Sequence, residues 1–275
     1  MTDLRDALAG LQLTSHHRLA IERLVAMLEP DPDILALVLA GSLAHGYALP
    51  DSDIDVLMLV TQEAMAERRR TGRLHWVDRS VCDWDGGYVD GKFVDAALLD
   101  QVATRGSEPA RYAWQGARVL FDRSEGLPEL LVRIVRYPLE GRDDRVARFT
   151  AQLLAWRWYH SEAVRKDSPY LGALARHKVT LFACRIVLAR NERLYPFHKW
   201  LLAETEHATD RPPALMEDID RMLREPDQAR VEALVAAVLD WYAIDMTAAD
   251  ARWPSLFMED TELAWLHGRA AIDDL

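Results

Sequence analysis

The chain has 275 residues, half of them apolar, and a formal net charge of −11 at pH 7. That is enough for one large domain or two ordinary ones with a real core, and it contains no run of about 18 uncharged apolar residues that would cross a membrane. The excess of acid argues against a nucleic-acid substrate, which needs a basic track along its phosphates, and favours a cationic small molecule.

Met1 to Asp6 is polar and carries acids early, without the basic start and apolar middle of a secretory signal. Cys82 and Cys184 lie far apart, form no metal-type cluster and read as reduced thiols, so a cytoplasmic protein is expected. Apolar residues at Leu19, Ile21, Leu24, Val25 and Leu28 mark a helix that Pro30 ends. His16 and His17 are neighbours on that helix, so their side chains should diverge, and they read as a surface pair. Ile34 to Ala40 is a continuous apolar run between Pro/Asp and Gly and predicts a buried strand. Asp53 to Val60 predicts the next strand, and Thr61 to Arg70 a helix.

Asp83 to Gly91 holds three glycines and several acids and reads as a turn or hairpin. Lys92 to Leu99 reads as a third strand with Asp95 as its internal carboxylate, and Gly116 to Phe121 as a fourth. After Gly126 the pattern is helical, broken by Pro138, Pro169, Pro196, Pro212-Pro213 and Pro254, with no strand evident. The boundary falls between residues 124 and 140, which predicts an α/β unit at 1–126 and a helical unit at 127–275.

The densest chemistry lies between Val38 and Val60. A strand ends in Gly41-Ser42, a polar loop of about ten residues follows, and Asp53-Ile54-Asp55 opens the next strand. Alternate strand residues share a face, so Asp53 and Asp55 lie side by side. Two such carboxylates repel unless a cation lies between them, and the oxygen ligands suit magnesium or manganese. Asp95, costly to bury alone, reads as a third ligand. Gly86-Gly87 lacks the Lys-Ser/Thr of a phosphate loop, and no nucleophile elbow is present. Trp156, Trp158 and Tyr159 cluster at helical spacing and read as core or interface residues.

Gly41-Ser42, the Asp53-x-Asp55 pair and Asp95 together resemble the nucleotidyltransferase superfamily typified by DNA polymerase beta. The match is closest to the small-molecule branch that includes aminoglycoside nucleotidyltransferases. The resemblance covers about the first 125 residues, and more loosely the stretch Asn191 to Leu201. It implies an α+β fold, with an N-terminal mixed-sheet nucleotidyltransferase domain followed by an all-α helical domain that closes on the nucleotide. It implies that Asp53, Asp55 and Asp95 hold two Mg2+ ions, Asp95 acting as ligand, as general base or as both. Gly41, Ser42 and Ser52 would contact the triphosphate, and Arg185 and Lys199 would bring positive charge to it, with Arg176 and Lys178 as alternatives. The reaction implied is transfer of AMP from ATP to a hydroxyl of a small cationic acceptor such as an aminoglycoside. Asp83, Trp84, Asp85, Tyr88 and Asp90 are candidates to line the acceptor site. No nucleic-acid or membrane partner is expected, and a monomer or homodimer fits. Adenylylation of a protein hydroxyl, or a silent nucleotide-binding module, are the alternatives.

Overall fold

The structure is a computed structural model and describes residues 4–225, 227–268 and 270–274. It divides into two compact units, Met1–Arg136 and Tyr137–Leu275.

The first unit runs α1 (Leu4–Ala7), α2 (Ser15–Leu28), β1 (Ile34–Leu39), α3 (Gly41–His45), β2 (Ile54–Val60), α4 (Gln62–Thr71), β3 (His75–Asp78), β4 (Val89–Val94), α5 (Ala96–Arg105), α6 (Glu108–Tyr112), β5 (Arg118–Asp122) and α7 (Leu127–Ile134). The strands form one mixed sheet in the order β3-β4-β2-β1-β5. Only the β2–β4 pair is parallel; β1–β2, β1–β5 and β3–β4 are antiparallel.

Both faces of the sheet are covered, which is why β1 and β2 read as unbroken apolar runs. Leu37, Leu39, Ile54, Val56 and Met58 face one core with Ile21 and Leu24 of α2. Ala36, Val38, Leu57 and Leu59 face the other with Leu99 of α5, Trp114, and Leu127 and Ile134 of α7. Each such Leu or Ile contributes about 1.5–3 kcal/mol by leaving water.

The third strand departs from the sequence reading. It begins at Val89 rather than Lys92 and stops at Val94, and residues 96–99 open a helix instead. Asp95 causes the switch: its carboxylate accepts the Leu98 backbone N–H at 2.8 Å, an N-cap that starts α5 from good helix formers. The short edge strand β3 was not foreseen, because four residues carry too little pattern. Helix α7 belongs to the first unit rather than the second, since its apolar face packs on the sheet core.

The second unit is all-α in its described residues: α8 (Arg142–Arg165), α9 (Pro169–Arg190), α10 (Leu201–Glu206), α11 (Leu215–Arg224), α12 (Gln228–Trp241) and α13 (Met246–Phe257), followed by short π and 3₁₀ turns. Ser168 caps α9 and Pro169 occupies its first turn, which sets the corner of the α8–α9 hairpin. From Val179 to Ala189 every residue of α9 is buried, making it the central helix of the unit. Among the described residues no helix is long and apolar enough to cross a membrane.

Candidate active site

The junction of β1, α3 and β2 is built around one close approach. Gly41 has φ +62°, and a Cβ there would lie 1.8 Å from Asp55 Oδ2 and 2.5 Å from Asp55 Cβ. Only glycine fits, on both conformation and space. The Ala40 N–H donates to the Asp55 carbonyl at 2.9 Å, which fixes the two strands at this point. Ser42 is 5% exposed, and its Oγ is buried without a hydrogen-bond partner. A buried hydroxyl left unbonded costs about 1–3 kcal/mol, which a ligand's acceptor atom would recover.

The loop before Asp53 is held from α2. His17 Nε2 donates to the Ser52 carbonyl at 3.0 Å, and His16 Nε2 lies 2.8 Å from the Pro50 carbonyl. Burial pushes the His17 pKa down, partly offset by its bond to Ser52, and His16 lowers it further. His17 is therefore a neutral, fully buried donor rather than half of a surface pair, and both histidine rings pack against Trp84. The Ser52 hydroxyl accepts from the Leu49 N–H at 2.9 Å, so it already shapes the loop.

The parallel register decides which acids meet. Asp55 lies directly opposite Asp90, and Asp53, Asp55 and Asp90 share the same face and the same end of the sheet. Tyr88 donates its hydroxyl to Asp53, and that bond is the largest cause raising the Tyr88 pKa. The charge of Asp53, desolvation, and the charges of Asp90 and Asp55 follow in that order. His75 on β3 reaches Asp90, with Nε2 2.9 Å from Oδ1. Asp53 and Asp90 thus each have a hydrogen-bonding neighbour that offsets the repulsion among the acids.

Asp95 is not with them. Val94 pairs with Leu59, so Asp95 lies at the opposite end of the strands, five residues and about 16 Å of strand beyond Asp90. It is 4% exposed, caps α5 and takes Arg69 Nη2 at 2.9 Å. Its cost of burial is met by these two partners, not by a metal shared with Asp53 and Asp55. The 83–90 segment likewise splits: Asp83 pairs with Arg23 at 3.4 Å, while Tyr88 and Asp90 belong to the carboxylate cluster.

The sequence-predicted cations lie in the second unit. Arg185 is 1% exposed, its guanidinium 4.2 Å from the Phe149 ring centre and 4.1 Å from that of Tyr195, which makes it a core cation. Lys199 is exposed, with Nζ 5.0 Å over Trp200. Arg176 is half-buried, and Lys178 pairs with Asp273.

Among the described residues, no group of three or more His, Cys, Asp or Glu is arranged to hold a metal ion. Magnesium, however, commonly takes one or two carboxylates and completes its shell with waters and substrate phosphates. Asp53 and Asp55, with the close backbone at Gly41, fit a hard cation arriving with a polyphosphate better than a dedicated protein cage.

Residues 21–85 match the family model of the nucleotidyltransferase domain. The matched segment contains Gly41, Ser42, Asp53 and Asp55 and stops short of Asp90. No curated protein matches the chain. Among solved structures, a nucleotidyltransferase-like protein from Exiguobacterium sibiricum aligns at 10% identity and TM-score 0.48, covering 88% of this chain and 80% of that one. The domain match suggests a transferase acting by nucleotidyl transfer; its donor and acceptor rest on the site itself.

Proposed function

We propose that the chain transfers a nucleoside monophosphate, AMP from ATP, to a hydroxyl of a small cationic acceptor of the aminoglycoside kind. The observation that carries this reading is the Asp55 carboxylate seated against Gly41, beside the unbonded Ser42 hydroxyl and opposite Asp90. In this reading Asp53 and Asp55 hold Mg2+, which neutralises charge on the triphosphate when bound. Ser42 donates its hydroxyl to a phosphate oxygen, and Gly41 lets the nucleotide approach the backbone. Asp90, oriented by His75, accepts the proton of the acceptor hydroxyl. The acceptor oxygen bonds to the α-phosphorus as the bond to the β-phosphate bridging oxygen breaks, and pyrophosphate leaves.

The acidic balance of the chain, with Asp83 and Asp85 on the loop preceding Tyr88, supports a cationic acceptor. The test is incubation with each nucleoside triphosphate, Mg2+ and a panel of aminoglycosides and other polyamino alcohols, read by pyrophosphate release and by the mass of the acceptor. An added AMP that disappears in Asp53→Asn is the expected result. No product with any donor across the panel would remove the small-molecule reading, and label appearing on lysate proteins instead would move the acceptor to a protein.

A further inference from the structure

The second unit contains a hollow of about 210 Å3 between α8, the end of α9 and α13. Its walls are mostly apolar: Val146, Ala147 and Ala151 from α8, with Thr150 between them, and Ala249, Trp253 and Leu256 from α13. Small side chains on facing helices leave a slot where larger ones would close it. A dry apolar cavity of about 150 Å3 is enough to take a benzene ring.

The rim carries two cations, Arg190 and Arg252, and two carboxylates, Asp143 and Asp245. Arg190, at the last turn of α9, is half-buried, and its Nε is buried with no hydrogen-bond partner. Its neighbour is the Tyr242 ring, 5.8 Å from the guanidinium carbon, and among the described residues it has no ion pair. The carboxylates nearby are otherwise engaged. Asp245 caps α13 by accepting the Thr247 and Ala248 N–H groups, and Asp143 is exposed and 3.5 Å from Arg142. Arg252 adds a second rim cation, exposed and likewise without an ion pair among the described residues. A cation partly removed from water, with its Nε–H unbonded and an apolar slot beside it, favours an anion with a flat apolar body.

We propose that this hollow is a binding site for an aromatic carboxylate, its ring between α8 and α13 and its carboxylate on Arg190. The site uses only residues of the second unit and does not depend on the transferase reading.

The test uses the full chain with 1-naphthoate and its neutral counterpart 1-naphthalenemethanol, by isothermal titration and by NMR of the alanine methyl groups. The expected result is saturable naphthoate binding at least tenfold tighter than the alcohol, with shifts at Ala147, Ala151 and Ala249. Arg190→Met should abolish that preference while leaving weak binding of both, Arg190→Lys should keep part of it, and Ala249→Phe, which fills the slot, should remove binding of both. Pyrophosphate release should be unaffected by Ala249→Phe. Equal affinity for the two probes, no binding of either at millimolar concentration, or naphthoate binding unchanged in Ala249→Phe would each overturn the proposal.

Discussion

Gly41→Ala probes the contact on which the candidate site rests. The new methyl would fall 1.8 Å from Asp55 Oδ2, 2.4 Å from Cγ and 2.5 Å from Cβ, all far inside van der Waals contact. An alanine at positive φ costs about 1–2 kcal/mol. Driving Asp55 from its rotamer adds about 0.5–1.5 kcal/mol, and stretching the Ala40–Asp55 backbone bond adds about 1 kcal/mol. Together these predict a loss of about 2.5–4.5 kcal/mol in urea denaturation followed by tryptophan fluorescence. Displacing a reacting group by about 1 Å is worth about 100-fold in rate, so pyrophosphate release should fall at least that far. Asp55→Gly removes all three clashing atoms, so the double variant should recover at least about 1 kcal/mol relative to additivity. A Gly41→Ala protein within about 0.5 kcal/mol of wild type, or strict additivity in the cycle, would refute the close approach.

Asp90→Asn and Asp95→Ala separate the two candidates for third carboxylate. The first should cut turnover at least about 100-fold with the fold intact, and the second should cost about 1–2 kcal/mol of stability while leaving turnover near wild type. Loss of activity in Asp95→Ala without loss of stability would reverse the assignment. Alkaline spectrophotometric titration of the 8 tyrosines should show Tyr88 and Tyr242 ionising late, because both pKa values are raised above 10. Their protonated forms contribute stability in full below pH 10, which is lost as pH rises through the folded-state values, and ionisation of all eight as one group near pH 10 would contradict this. Burial pushes the Cys184 thiol up to about 12, so at pH 8 a thiol reagent should label only half-exposed Cys82 until the chain unfolds. Labelling of both thiols in the native protein would show that α9 opens more readily than its burial implies.

The hydrophobic runs at Ile34 and Ile54 were legible because two-sided burial leaves an unbroken apolar stretch. The Gly41-Ser42 and Asp53-Asp55 pairing was legible because alternation fixes which side chains share a face. What failed was the start of β4. A glycine-rich approach hid the alternation of Val89, Gly91 and Phe93 against Asp90, Lys92 and Val94, and a strand begun three residues late put the third acid at Asp95. The parallel pairing held the missing clue. A strand beside β2 and parallel to it can bring an acid to Asp55 only from its own N-terminal end, and Asp95 follows its C-terminal end. His17 was missed for another reason: nothing in an adjacent His pair says which ring turns inward to hold a loop 35 residues away. The burial of Arg185 was not legible because a cation on an apolar helix looks the same in sequence whether it faces outward or stacks between Phe149 and Tyr195.

The single parallel pair in the sheet also orders events in time. β1–β2 and β3–β4 are antiparallel neighbours in sequence and can form locally, but β2 and β4 are joined only through residues 61–88, which must first fold back over the sheet as α4 and β3. Loop closure of that length comes before any reward from the pairing. Asp53 and Asp55 therefore reach Asp90 and Tyr88 only when the two halves of the sheet dock, so a nascent or partly unfolded chain holds the pieces of a charged cluster without concentrating them. The repulsion among these acids is therefore met when β2 pairs with β4, and in neither antiparallel pair alone.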